Sequence, residues 1–324
     1  MALHAAMLHA YAFTGDGRAQ SVDSVALEGS RPQAGWWWVH LDRTRDEAEH
    51  WLRRQADLDP IAIDALLEEE TRPRCVTIGN GLLVILRGVN LNVGADPADL
   101  VSVRLWVDDH QVVSLRKRRL MALQDLRDRI DRGFVPAGPG ELLVEIAANM
   151  IDFMAPVLEE LNDAVDHIEE RVLDAPGHEL RTDLSRLRRR AISLRRFLGP
   201  QREAFSQLLS GRSAIFTDPD RGRLRELTDR LTRYIEELDA ARDRAAVTQE
   251  ELSGRIADQM NRNMYVLSIV AGIFLPLGLL TGLLGINVGG IPGTENDWAF
   301  AIVCIVLVVL VGVAVWLFRR LKLI

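Results

Sequence analysis

Between Arg262 and Glu295 the chain has no Asp, Glu, Lys or Arg, and it has none again between Asp297 and Arg319. The two gaps hold apolar runs over residues 264–284 and 298–318. Each is about 20 residues, or about 30 Å as a helix, which matches the thickness of bilayer hydrocarbon. A helix in a soluble core rarely stays apolar on every face for that length. Both runs are therefore expected to cross a membrane, with the charged remainder, residues 1–263, outside it.

Cysteine is scarce as well. Cys75 and Cys304 are the two present, too few for a disulfide framework or a CxxC zinc cluster, and both read as packing residues. A net charge of −7 excludes the strongly basic surface that nucleic-acid binding requires. The chain has no phosphate loop, nucleophile elbow or HExxH, so nothing marks an enzyme and no cofactor is expected. The opening residues lack a basic segment, and Gly15-Asp16-Gly17 comes too early for a signal peptide. No Lys or Arg occurs in the loop between the spans, whereas Arg255 and Arg262 precede the first and Arg319, Arg320 and Lys322 follow the second. The positive-inside rule then places both termini in the cytoplasm.

Residues 1–140 read as an α/β module with a substantially antiparallel sheet. Trp36–Asp42, residues 82–87, Val101–Val107 and residues 111–115 are short runs suited to strands, the last two joined by Asp108-Asp109-His110 as a tight hairpin. Residues 45–55 and 60–70 read as helices, the second with proline in its first turn. The three tryptophans Trp36, Trp37 and Trp38 suggest either an aromatic cage or core packing, and core packing is the simpler reading of a half-buried strand. The Gly/Pro cluster at 136–140 closes this module.

Residues 141–219 read as a helical hairpin, with one helix from Glu141 to about Asp174, kinked at Pro156, and another over 178–198. Acids on the first (Glu159, Glu160, Asp163, Asp166, Glu169, Glu170) face arginines on the second (Arg181, Arg186, Arg188, Arg189, Arg190), so the two helices are expected to be ion-paired. Asp163, His167 and Glu170 also share one helical face, at i, i+4 and i+7, and offer a candidate cytoplasmic metal site against the plainer ion-paired reading. No proline occurs between Pro219 and Pro276. Within that stretch Leu224, Leu227, Leu231, Tyr234, Leu238, Ala241, Ala245, Thr248 and Leu252 keep a three-four spacing. A stalk over 220–263 should thus continue without a stop into the first span, as one helix of about 65 residues and roughly 100 Å.

Two spans cannot enclose a path for ions, so transport needs several copies around an axis, each giving one helix to the pore. The second span is almost entirely Val, Leu and Ile and suits lipid. The first contains Ser268, Gly272, Pro276, Gly278, Thr281 and Gly282. One of its faces runs Asp258, Asn261, Met264 or Tyr265, Ser268, Ala271 or Gly272, Leu275, Gly278 and Gly282, and ends near Asn287. Met264 and Leu275 would form narrow hydrophobic collars that close by dewetting, and a ring of Asn287 side chains would meet a hydrated divalent cation through oxygen. Alone, Gly285-Ile286-Asn287 reads as a helix cap and turn. Its place at the outer end of the first span makes it an ion entrance, with Glu295 and Asp297, in the loop over 285–297, either attracting cations or simply solvated.

At this point the chain resembles the CorA family of metal-ion transporters, and more closely its zinc-transporting ZntB branch. The resemblance rests on Phe274-Leu275-Pro276, the loop from Gly285-Ile286-Asn287 through Gly293, the run from Leu86 through Asn92, and Val101–Val107. It implies an α+β membrane protein and a homopentamer in the cell inner membrane. Its N-terminal cytoplasmic α/β/α funnel domain would be followed by a long stalk helix continuous with the first of two C-terminal transmembrane helices, and residues 319–324 would form a cytoplasmic tail. It also implies that Asn287 belongs to the entrance filter and that Asn261, Met264, Leu267, Leu275 and Gly278 face the pore. The transported ion would be zinc, taken up with possible coupling to protons. This chain has isoleucine where the main family has methionine in its Gly-Met-Asn triplet, and a glycine-rich loop follows. Residues 264–284 contain no Cys, His or carboxylate, so zinc would pass largely hydrated. The rivals are a magnesium, cobalt or nickel channel of the same architecture and a membrane-anchored coiled-coil scaffold or sensor.

Overall fold

The computed structural model describes residues 3–14, 17–29, 35–172, 177–211, 213–285, 293 and 297–321. The chain divides into two compact units, Met1–Gln249 and Glu250–Ile324. In the first unit come β1 (Met7–Thr14), β2 (Arg18–Ser21), α1 (Ser24–Gly29), β3 (Trp36–Asp42), α2 (Asp46–Arg54), α3 (Pro60–Leu67), β4 (Arg74–Ile78), β5 (Gly81–Gly88), β6 (Val101–Val107), β7 (Gln111–Arg116) and α4 (Met121–Asp131). Helices α5 (Pro139–Asp152), α6 (Ala155–Arg171), α7 (Gly177–Ser210) and α8 (Asp218–Leu284) follow, and α9 (Ala299–Arg320) lies in the second unit.

The strands form one sheet in the order β2-β1-β3-β7-β6-β5-β4. Every neighbouring pair is antiparallel except β3 and β7. The β6–β7 turn is built as its acidic residues suggest: Asp108 Oδ1 accepts from the backbone N–H groups of His110 and Gln111, both at 2.9 Å, and Asp108 Oδ2 accepts from Trp106 Nε1 at 2.8 Å. Strands β1, β2 and β4 carry no clear sequence signal, because β1 mixes alanine and histidine into its apolar positions and the edge strands β2 and β4 are largely solvent-facing.

The sheet is covered on both faces, which is why β3, β5, β6 and β7 read as nearly continuous apolar runs. On one face Trp37, Val39 and Leu83 join Trp51 and Leu52 of α2 and Leu66 of α3 in a single core. On the other, Gly88 of β5 lies so close to Leu120 that an added Cβ would come within 2.9 Å of its side chain, and within 3.3 Å of Met150 of α5. Gln201 of α7 reaches the same strand, its Oε1 accepting from Arg87 N at 2.7 Å. Trp36, Trp37 and Trp38 are all buried, so they are core residues. Trp37 meets Trp51 edge-on at 5.8 Å, and Trp36 stacks on Phe13 at 4.0 Å.

Two helix expectations need correction. The single helix from Glu141 is in fact α5 and α6, with Phe153 and Met154 between them. Pro156 then falls in the first turn of α6, where the missing N–H has no helical partner to lose. The expected end at Leu198 is passed, and α7 continues through Pro200 to Ser210 because Ala204, Phe205 and Leu208 are buried and hold that extension in the core. The start of α8 is a reciprocal cap. Asp220 Oδ2 accepts from Thr217 N at 2.9 Å, and Thr217 Oγ1 accepts from Asp220 N at 3.3 Å. Along the seam Ile235 is buried and Tyr234 only half-buried, so the three-four spacing passes through Ile235.

The expected ion pairing of α6 with α7 is largely replaced by pairing with α8. Among the described residues the α6–α7 ion pairing reduces to Arg190 Nη1 and Glu160 at 3.5 Å, whereas Asp166 and Glu169 both bind Arg244 of α8. Arg230 of α8 pairs with Asp152 at 2.8 Å and Asp239 of α8 with Arg195 at 2.9 Å. Deepest is Glu145 of α5, whose side chain is 5% exposed and is held by Arg129 at 2.9 Å and by Arg223 of α8.

Two stability measurements follow. Glu145→Gln leaves both arginines facing a neutral amide, and should lower the unfolding free energy of the first unit by about 1–3 kcal/mol, since each guanidinium keeps some water. The readout is the urea midpoint followed by circular dichroism, and an unmoved midpoint would remove this triad from the account. The second concerns His9 and His40. Burial, reinforced by Arg127 and Arg116, lowers His9 from 6.5 to about 3. Burial, His9 and Arg116 hold His40 well below its usual value. Both histidines are neutral in the fold and take up protons on unfolding, so the stability they contribute is full above pH 6.5 and is lost as pH falls toward their folded values. Between pH 7.5 and 5.5 His9 alone should lose about 1.4 kcal/mol, with His40 adding in the same direction. A urea midpoint equal at the two pH values would contradict this.

Candidate functional site

The C-terminal part of α8 and all of α9 carry windows apolar and long enough to cross a bilayer, and no residue of either window is buried within the chain. The second unit shows how the two helices meet. On α8 Ile269, Ile273, Leu277 and Leu280 are half-buried, and on α9 Val303, Leu307, Leu310, Ala314 and Phe318 are. These are helical steps of three and four on both sides. Gly272 lies on the same contact, where an added Cβ would come within 3.0 Å of the Phe318 ring. The expected pore face included Ala271 or Gly272, and the contact with Phe318 corrects this: Gly272 serves close packing against α9.

Met264, Leu267, Ser268, Leu275, Gly278 and Gly282 are all exposed. At 100° per residue they centre roughly half a turn away from the α9-facing stripe. The structure therefore brings these six onto one free face of α8. Asn261 is exposed too and sits slightly off that line, while Asp258, also exposed, is swung about a third of a turn from it.

That face carries one hydroxyl. Ser268 Oγ donates to Met264 O at 2.8 Å, so its proton is engaged within the helix and its oxygen remains an acceptor. Thr281, whose Oγ1 donates to Leu277 O at 2.9 Å, lies about a quarter turn away and lines a groove with Leu307, Val308 and Val311 of α9. The free face is thus apolar, with small residues at Gly278 and Gly282 and one oxygen acceptor at Ser268.

Helix α8 closes at Leu284, with Gly285 N–H bonding Thr281 O at 3.0 Å and Gly282 O at 3.2 Å. Ile286, Asn287 and Glu295 lie outside the described residues. Asp297 is described and exposed, one residue before the Trp298 N-cap of α9, where a carboxylate complements the helix dipole. The cytoplasmic candidates Asp163, His167 and Glu170 lie exposed along α6. Among the described residues no group of three His, Cys, Asp or Glu side chains is placed to hold a metal ion, so the chain by itself does not gather these three into a site. Nearby Asp166 and Glu169 are engaged by Arg244 instead.

An α/β/α domain followed by two helices long and apolar enough to cross a bilayer is the architecture of a membrane-anchored protein with a large domain outside the lipid. The chain belongs to the CorA family: the family model described as CorA-like Mg2+ transporter protein matches residues 33–320. Membership makes it a divalent-cation transporter and not an enzyme. It is 41% identical over 324 residues to a protein named divalent cation transporter CmaX from Pseudomonas aeruginosa, covering 98% of this chain and 96% of that one. It is 38% identical over 316 residues to a protein named zinc transport protein ZntB from Yersinia pseudotuberculosis, covering 96% and 95%. Among solved structures, full-length CmaX superposes with a TM-score of 0.85 at 40% identity over 98% of each chain. The CorA magnesium transporter from Methanocaldococcus jannaschii superposes at 0.81 over 96% of this chain and 97% of that one, at 20% identity, and speaks to the fold alone.

The two faces of α8 can be told apart by thiol chemistry. In a chain carrying Cys75→Ser and Cys304→Ser, Ser268→Cys should react readily with a membrane-impermeant maleimide in inside-out vesicles, whereas Ile269→Cys, one residue on and against α9, should be protected by at least tenfold in rate. Faster labelling at 269 than at 268 would reverse the assignment.

Proposed function

We propose that the chain carries zinc into the cell through a pore on the axis of a homopentamer in the inner membrane. The C-terminal part of α8 lines the pore, α9 faces lipid and both termini are cytoplasmic. The observation that carries this reading is the opposition of two faces on α8. One is taken by α9, and the other, from Met264 to Gly282, is free and bears small residues and the Ser268 hydroxyl. A free face of this kind, in a chain with two spans, is accounted for by copies of itself around an axis.

In this reading Gly285-Ile286-Asn287 forms the outer entrance, where Asn287 side chains and backbone carbonyls contact the first hydration shell of the ion. Glu295 and Asp297 raise the local cation concentration. Met264 and Leu275 form apolar collars, and Asp258 and Asn261 receive the ion at the cytoplasmic end. Zinc is favoured by the relatives named for zinc transport, at 38% identity across nearly the whole chain. Passage is as a hydrated ion, because residues 264–284 supply no Cys, His or carboxylate. That same lack favours a second reading, a magnesium, cobalt or nickel channel of the same architecture, since hydrated passage gives no first-shell preference for zinc.

Uptake of zinc and of magnesium into proteoliposomes, each with and without a pH gradient, separates the readings. Zinc uptake stimulated by inward protons is the expected result, and magnesium uptake without zinc uptake would sink the zinc assignment. Asn287→Ala should reduce uptake by at least tenfold at unchanged expression and assembly. No flux of any divalent ion, in the parent chain as in the variant, would return the protein to the class of membrane-anchored scaffolds.

A further inference from the structure

The first unit contains a cavity that none of the proposed pore residues lines. It opens beside β1, β3, the end of β7 and the start of α4, and is lined by His9, His40, Arg116, Arg119, Gln124 and Arg127, with Leu8, Leu120 and Leu123 as its apolar wall. Its charges do not balance. Arg127 has a partial partner in Asp131, at 3.5 Å, and that carboxylate also accepts from Tyr11 Oη at 2.7 Å. Arg119 donates through Nε to Gln124 Oε1 at 2.5 Å, a neutral acceptor. Among the described residues no carboxylate comes within ion-pairing distance of Arg116 or Arg119. The nearest compensation for Arg116 is the longer-range field of Asp42, which Arg119 opposes.

A second observation is independent of the arginines. His9 Nε2 is shielded from solvent and has no hydrogen-bond partner. Its neighbour His40 is satisfied: His40 Nδ1 lies 2.8 Å from Ser114 Oγ, which also accepts from Trp38 Nε1 at 2.7 Å. A buried ring nitrogen left open costs on the order of 1–3 kcal/mol of desolvation, and a guanidinium partly withdrawn from water without a counter-charge adds to that cost.

We propose that this cavity binds a phosphate group. Two guanidiniums without carboxylate partners call for an acceptor of about two negative charges, which a phosphate supplies and a single carboxylate does not. Arg116 and Arg119 offer planar, forked donors matched to phosphate oxygens, and neutral His9 adds a third donor when its proton is on Nε2. The apolar wall lowers the local dielectric and strengthens each of these contacts. Free inorganic phosphate and the phosphate of a nucleotide share this chemistry. The proposal is independent of which ion the membrane unit carries.

Isothermal titration of the full-length protein in detergent, at pH 7.5 and constant ionic strength, tests it with inorganic phosphate, AMP and chloride as separate titrants. The expected result is saturable phosphate binding, one per chain, weakened at least tenfold by Arg116→Gln and by Arg119→Gln. Arg118→Gln, whose guanidinium pairs with Asp99 at 2.7 Å away from the cavity lining, should leave affinity unchanged. AMP binding tighter than phosphate identifies a nucleotide as the source, and AMP binding equal or weaker identifies free phosphate. Arg119 is exposed, so its variant reports on the site even if Arg116→Gln folds poorly. Absence of saturable heat, unchanged affinity in both arginine variants, or chloride binding as tightly as phosphate means an adventitious ion only and overturns the proposal.

Discussion

A carboxylate buried on α5 holds the first turns of the longest helix in the chain. Glu145 is held by Arg129 from α4 and Arg223 from α8, and a buried carboxylate is tolerable only while such partners stay in place. Three further arginine–acid contacts, from Arg230, Arg244 and Asp239, tie α8 to α5, α6 and α7. Individually the outer pairs are exposed and weak. Together with an apolar seam from Leu224 to Ala245 they set the rotation of α8 about its own axis within the first unit.

Within the second unit the two faces of α8 differ. With one stripe committed to α9, Ser268, Gly278 and Gly282 are left on the side away from that partner. Gly272 is different in kind from those glycines: it serves the contact with Phe318. Composition alone treats all of them alike.

Much of this was legible in the residues themselves, for identifiable reasons. The spans followed from gaps in charge, β3 and β6 from dense β-branched and aromatic runs, and the Asp108 turn from side chains that bond their own backbone. What escaped was set by tertiary context. The break before α6 depends on where Pro156 falls in a helix whose start the sequence does not mark, and α7 outruns Leu198 because Phe205 and Leu208 find a core to enter. The acids of α6 turned to α8 rather than to the arginines of α7, since charge complementarity names possible partners and packing decides among them. The line from Met264 to Gly282 was readable from helical spacing, while the α9-facing stripe opposite it was not, because every residue there is simply apolar.

The distribution of tryptophan has a consequence for how the molecule can be watched. Trp36, Trp37, Trp38, Trp51 and Trp106 are all at most 7% exposed within the first unit, whereas Trp298 and Trp316, near the two ends of α9, are 72% and 57% exposed. Indoles at the ends of a spanning helix sit at the headgroup level. The native chain thus holds two optically distinct populations, a blue-shifted cluster that senses the sheet and a pair within reach of lipid-borne quenchers, so events in the two units can be followed separately without adding a label.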